Sequence, residues 1–194
     1  DIMLNDTTDW EYWGRYVYAE SWEPITTFLG TFDGQGHTIS GLYIHGQADK
    51  DYTNTGLFGV VGIPEEDANA KICNVGIKAS VFDLREITKR GDKIGLLAGN
   101  FLDGSASQCF AHGKIVGNNI YYYIGGLIGL LGGQKVIQYG EAIVTDCYAR
   151  VDIISTSQGV LGGVIGRNER TVLSNSFAAG RGWCYGASTG SIAN

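Results

Sequence analysis

The chain has 194 residues, 30 of them glycine, with 44% hydrophobic residues and a formal net charge of −6. That length bounds it at one domain with enough apolar material for a continuous core. No stretch nears the roughly 18 uninterrupted apolar residues of a membrane span, and glycine at this frequency would cost about 1 kcal/mol per residue in helix interiors, which excludes membrane insertion and helical repeats. Nothing at the start resembles a signal peptide, so any targeting segment is expected outside this sequence.

The acidity is local. Residues 1–33 hold Asp1, Asp6, Asp9, Glu11, Glu20, Glu23 and Asp33 against Arg15 alone, and the remaining acids and bases cancel. Phosphate backbones recruit clustered Lys and Arg, so nucleic acid is not an expected partner. The same stretch concentrates aromatics: Trp10, Tyr12, Trp13, Tyr16, Tyr18 and Trp22. Two readings stay open for residues 1–27. They form a cap over the end of a repeat array, which otherwise exposes edge backbone and apolar interior. Alternatively Trp10, Trp13 and Trp22 offer faces on which sugar rings stack while neighbouring carboxylates accept hydroxyl hydrogen bonds.

The repeat domain is expected over 28–194. In Phe28-Leu29-Gly30-Thr31-Phe32-Asp33-Gly34-Gln35-Gly36-His37-Thr38-Ile39-Ser40-Gly41-Leu42-Tyr43-Ile44, turn residues at Asp33, Gly34 and Gly36 precede a strand in which Leu42 and Ile44 alternate inward. Glycine-hydrophobic-glycine cores follow around Leu57, Leu97, Leu127 and Val164, spaced 40, 30 and 37 residues apart. Each unit is too small to bury its apolar face alone, so the units must stack, and unequal spacing favours β-coils with loop insertions. The expected fold is all-β, a right-handed parallel β-helix of about five coils.

The Phe-x-Gly-Thr-Phe-Asp-Gly-x-Gly-His-Thr-Ile-x-Gly-Leu stretch, followed by Gly-Gly-Leu-x-Gly and Asn-Cys-Tyr-Ala-like repeats, resembles the GLUG-repeat modules of bacterial surface and secreted proteins over about residues 22–180. The resemblance implies a β-helical scaffold or binding role in large extracellular proteins, among them adhesin-like chains and IgA-cleaving metallopeptidases. It supplies no catalytic motif, and the His-Glu-x-x-His zinc signature is absent from the sequence.

Asn74, Gln108, Asp146 and Asn175 open the second strand of each unit, 34, 38 and 29 residues apart, and read as a polar ladder at one corner. Alternation beyond them sends Val75, Ile77, Ala79 and Val81 inward, with Cys109, Ala111, Gly113, Ile115, Cys147, Ala149, Val151 and Ile153. It sends Phe110, Tyr148 and Phe177 outward beside Lys78, His112 and Arg150. This strip is the leading candidate for binding a partner protein or a glycan; the competing reading is a stacked ladder that only stabilises the sheet or lies under a loop.

In the glycine cores both parities are apolar, with Leu97 and Leu127 on one side and Ile94, Ala98, Ile124 and Ile128 on the other. That pattern predicts a covered or self-associating outer strip, with the solenoid ends as a second route to a homo-oligomer. Two insertions, Gly62 to Ala70 with a helix start at Pro64 and Leu84 to Lys93, read as solvated loops and second-rank binding candidates.

Cys109 and Cys147 fall in one inward slot of adjacent coils, and a reduced ladder is favoured over a disulfide because in-register side chains do not take the required dihedral. Without Cys-x-x-Cys pairs or clustered His37, His45 and His112, no metal and no cofactor are expected. A Thr array of the ice-binding kind is also lacking. The expectation is a non-catalytic extracellular module of a bacterial surface protein, a scaffold or adhesion unit meeting a protein or glycan on a host or neighbouring cell. The alternative is a polysaccharide lyase or hydrolase using Asp146, Asp152, Arg150 and His112.

Overall fold

Every strand pair in the computed structural model is parallel, and each strand pairs with its counterpart one coil away. The structure describes residues 1–184 except 18, 49, 64–68, 88–90, 118–119, 133–141, 157–158 and 170. Four sheets run along the stack as walls. In chain order within a coil, the first wall stacks Ile25–Phe28, Phe58–Val61, Ala98–Phe101, Ile128–Gly132 and Ile165–Glu169. The second stacks Thr31–Asp33, Lys71–Cys73, Ser105–Ser107, Ile143–Thr145 and Val172–Ser174. The third and widest carries Thr38–Ser40 with Tyr43–His45, then Gly76–Leu84, Phe110–Gly117, Tyr148–Ser155, and Phe177–Ala178 with Gly182–Cys184. The fourth holds Asn54–Thr55, Gly91–Ile94, Ile120–Gly125 and Val160–Gly162. The chain is a parallel β-solenoid, and its five rungs close about four turns, slightly fewer than five full coils.

The core is a set of apolar columns, one residue per coil. Ile72, Ala106 and Val144 of the second wall are fully buried, and so are Ile77, Ala111 and Ala149 of the third. Parallel strands in register give such columns directly, since the inward slot recurs at the same place in each rung. Cys109 and Cys147 continue a column as free, buried thiols, with Cys73 also free. Their sulfurs donate to backbone carbonyls, Cys109 to Ser107 at 3.2 Å and Cys147 to Thr145 at 3.1 Å. The neighbouring thiol and burial push the Cys109 thiol well above the ordinary range, so it stays protonated.

The polar corner between the second and third walls has a conformational cause. Asn74, Gln108, Asp146 and Asn175 take φ of 55, 54, 53 and 48°, the left-handed region in which short polar side chains are the usual non-glycine occupants. Hydrogen bonds along the axis link Asn74 Nδ2 to Asp33 at 2.9 Å and Asn175 Nδ2 to Asp146 at 3.2 Å. The Asn74 amide and the Gln35 backbone N–H hold the Asp33 carboxyl below its ordinary pKa.

Two sequence expectations are corrected by bends in the chain. The glycine cores are corners between the fourth and first walls, not single strands with an inner and an outer apolar face. A Cβ on Gly99 would lie 2.4 Å from the Thr55 nitrogen and one on Gly129 2.3 Å from the Ile94 nitrogen, so backbone packs on backbone where a side chain would collide. Because the chain turns there, Leu97, Leu127, Ile94, Ala98, Ile124 and Ile128 all end up fully buried in one core, and the outer apolar strip expected from their double parity does not reach the surface.

The second correction is a β-bulge at Ala79, whose φ is 49°. The extra residue shifts the pairing with Phe110–Gly117 and reverses the alternation, so Ser80, Phe82 and Leu84 are buried inside while Val81 points out. Ala79 and Val81 are therefore not members of the inward column. The Leu84 to Lys93 insertion likewise sends Ile87 into the core rather than remaining wholly solvated. The helix start expected at Pro64 lies outside the described residues.

The N-terminal segment both extends a wall and crosses it. Ile2–Met3 adds a parallel strand beside Thr38–Ser40, and Trp22 packs on the end of the core, its indole N–H donating to the Leu57 carbonyl at 3.2 Å. Between them, the 3-10 turn Trp10–Tyr12 and Trp13 run over the outer face of the third wall. Trp13 is buried there against Tyr43, edge to face at 5.6 Å, and against the Val81 that the bulge turned outward. Arg85 pins the crossing by donating to both oxygens of Asp83, at 2.7 and 2.8 Å, and to the Gly14 carbonyl.

Candidate binding groove on the third wall

The outer face of the third wall is organised in rows, because in-register strands place equivalent side chains beside each other. The first row is Phe110, Tyr148 and Phe177, whose rings stack at 5.0 Å and 5.4 Å with interplanar angles of 5° and 10°. Gly76 stands at the same position one coil earlier, and the Phe110 ring lies across it so closely that a Cβ there would meet ring carbon at 2.1 Å. Exposure grows along the ladder to 62% at Phe177. The stack therefore stabilises the sheet by covering ring face with ring face, and it turns ring edges outward, with Phe177 the most exposed.

The next rows carry the charge. His112 pairs in register with Arg150, and Lys114 with Asp152, which in turn sits beside Arg181. Asp152 receives the Arg181 guanidinium at 2.9 Å and its backbone N–H at 3.0 Å. Burial alone would raise the Asp152 pKa, but these bonds, with Arg181 and Lys114 nearby, hold it below the ordinary value. Lys114 and Arg150 form no ion pair among the described residues. Lys78 is exposed beside the bulge, opposite Ser40.

A groove of about 620 Å³ opens over these rows. Its floor is His112, Gly113, Lys114, Arg150, Asp152 and Ile154; Trp10 and Glu11 of the N-terminal crossing form one side, and Arg181 and Trp183 of the last rung the other. Trp10 meets the His112 ring edge to face at 5.4 Å, and the Arg181 guanidinium lies 5.0 Å over the Trp183 ring. Burial and the Arg150 charge lower the His112 pKa, only partly offset by Asp152 and Glu11, so the imidazole is neutral near pH 7. A second cavity of about 460 Å³ continues the groove beneath the crossing, sharing Glu11, Lys114 and Ile154 and reaching Tyr12, Arg15 and Arg85.

Of the residues singled out from the sequence, His112, Arg150 and Trp10 meet in this groove. Phe110, Tyr148 and Phe177 flank it as a ladder, and Lys78 lies outside the lining. Trp13 and Trp22 are packing residues in this arrangement, one under the crossing and one on the core. Asp146 stays at its corner bonded to Asn175, so it is not brought to Asp152. Sequence reasoning missed Lys114, Glu11 and Trp183 as groove residues. Lys114 carried a signal, its outward parity one strand position beyond His112, whereas the placement of Glu11 depends on the N-terminal crossing, which no local pattern specifies.

Fold and groove together define a parallel β-solenoid with a lateral, charged and aromatic cleft. No family model matches the chain, and no solved structure matches it. Among curated proteins it is similar to Halomucin of Haloquadratum walsbyi (strain DSM 16790 / HBSQ001), 31% identical over 127 residues, 65% of this chain. The match spans about 1% of that protein's length.

Proposed function

We propose that this chain is a non-catalytic extracellular module of the GLUG-repeat kind, a scaffold that also serves as an adhesion or binding unit of a surface protein. The observation that carries the reading is the outer third wall, where a stacked aromatic ladder lies beside a groove whose Lys114 and Arg150 form no ion pair among the described residues. Sites built on strands hold their side chains in fixed rows, and an aromatic strip rimmed by polar groups is the surface such modules offer to a protein or glycan. Similarity to a stretch of Halomucin, a protein named as a mucin, supports a place at or beyond the cell surface. The reading is tested on a glycan array and a panel of extracellular proteins with wild type, Tyr148→Ala and Phe177→Ala. Binding weakened by the ladder variants is expected; binding to none of these targets would overturn it.

The second reading, a polysaccharide lyase or hydrolase, draws on Glu11, His112 and Asp152 lining one groove. Asp152 is engaged by Arg181 through both oxygens, a poor state for a general acid or base. Turnover of an acidic or neutral glycan that disappears in Asp152→Asn or Arg150→Ala would decide for the enzyme.

A further inference from the structure

We infer that the groove is a subsite for an acidic sugar, a ring bearing a carboxylate or sulfate, with Lys114 and Arg150 receiving the anion and Trp10 and Trp183 packing on sugar faces. This rests on the binding-unit reading and names the ligand class of that surface. Charge makes the first step. The chain carries a net −6, yet the groove is lined by Lys114, Arg150 and Arg181 against Asp152, with Glu11 of the overlying turn as the second acid. Asp152 is satisfied by Arg181, which leaves Lys114 and Arg150 as cations without a carboxylate partner among the described residues.

The choice of sugar over acidic peptide comes from the flanks. Trp10 and Trp183 line opposite sides of a 620 Å³ cleft, a volume within the range of small-molecule sites. Indole faces take up the C–H faces of sugar rings, and neutral His112 between them supplies one donor and one acceptor for hydroxyls. An acidic peptide would use the cations and leave the indoles without a role.

The test measures binding of the full 194-residue chain to polygalacturonate, dextran sulfate, uncharged dextran and poly-aspartate by biolayer interferometry, with folding of each variant checked by circular dichroism. Expected are binding to polygalacturonate, dextran sulfate or both, weakening with added salt, and none to dextran; whichever acid sugar binds names the anion. Lys114→Ala and Arg150→Ala should each weaken it about tenfold, as should Trp183→Ala, while Arg167→Ala on the first wall leaves it unchanged. Equal binding of dextran, or no loss in Lys114→Ala and Arg150→Ala, overturns the acidic-sugar site and leaves the binding-unit reading standing. Poly-aspartate bound as tightly, with Trp183→Ala silent, assigns the groove to acidic protein instead and overturns the inference. Failure to bind any of the four overturns it as well, while the protein and glycan panel judges the broader reading separately.

Discussion

The glycine corner between the fourth and first walls and the outer face of the third wall are built from the same repeat and end in opposite states. At the corner, side chains are removed so that strands approach backbone to backbone, with added Cβ atoms at Gly99 and Gly129 falling within 2.4 Å of main-chain nitrogen. On the third wall, alternation sends one residue in two outward, and parallel register turns each outward position into a row of like-placed groups. The corner spends its sequence on closure and buries its apolar side chains. The wall leaves rows of outward aromatic and charged side chains.

The largest expected effect sits in the core the two regions share. Phe82→Ala removes a fully buried ring and should cost about 3–5 kcal/mol in denaturant unfolding. Gly129→Ala tests the corner itself: the three atoms nearest an added Cβ all belong to the main chain, relaxation is restricted, and a loss of about 1–3 kcal/mol is expected. If Gly129→Ala were neutral, the backbone-on-backbone corner would be wrong. Gln108→Val places a β-branched residue at φ 54° and should cost about 1–2 kcal/mol, whereas Gln108→Gly should cost much less.

The wall's outer face should tolerate change better. Phe177→Ala, at the exposed end of the ladder, should lower stability by about 1 kcal/mol or less while altering binding. The smallest effect is on pH dependence. A histidine whose folded pKa is depressed binds fewer protons folded than unfolded, so stability falls as pH drops below the unfolded value of about 6.5 and levels off below the folded one. His112→Gln should flatten the urea midpoint between pH 6.5 and 5.

Much of the architecture was legible in the sequence because repeated motifs expose their own register. The alignment of Leu57, Leu97, Leu127 and Val164 is the register of the first wall, where the residues that follow them, Phe58, Ala98, Ile128 and Ile165, pair in turn. The corner residues were equally readable, although their cause, a left-handed backbone, shows only in the dihedral angles. Two features escaped because they are not periodic. The Ala79 bulge breaks alternation within one strand, and nothing in Gly76–Leu84 marks which residue is extra. The N-terminal crossing is held by contacts distant in sequence, Arg85 with Gly14 and Trp13 with Val81, so the aromatic cluster was readable but the wall it covers was not. Half of the groove is visible from parity alone, and the half contributed by Trp10 and Glu11 is not.

The most direct test of the central claim, that this solenoid recognises its ligand on the outer third wall, is a titration of ¹⁵N-labelled protein with tri-galacturonate and with a sulfated dextran oligosaccharide, followed by amide and indole N–H shifts. The account predicts changes confined to Lys114, Arg150 and neighbouring amides and to the Trp10 and Trp183 indoles, with the first wall silent. Shifts centred on the first or second wall, or none with either ligand at saturation, would contradict it.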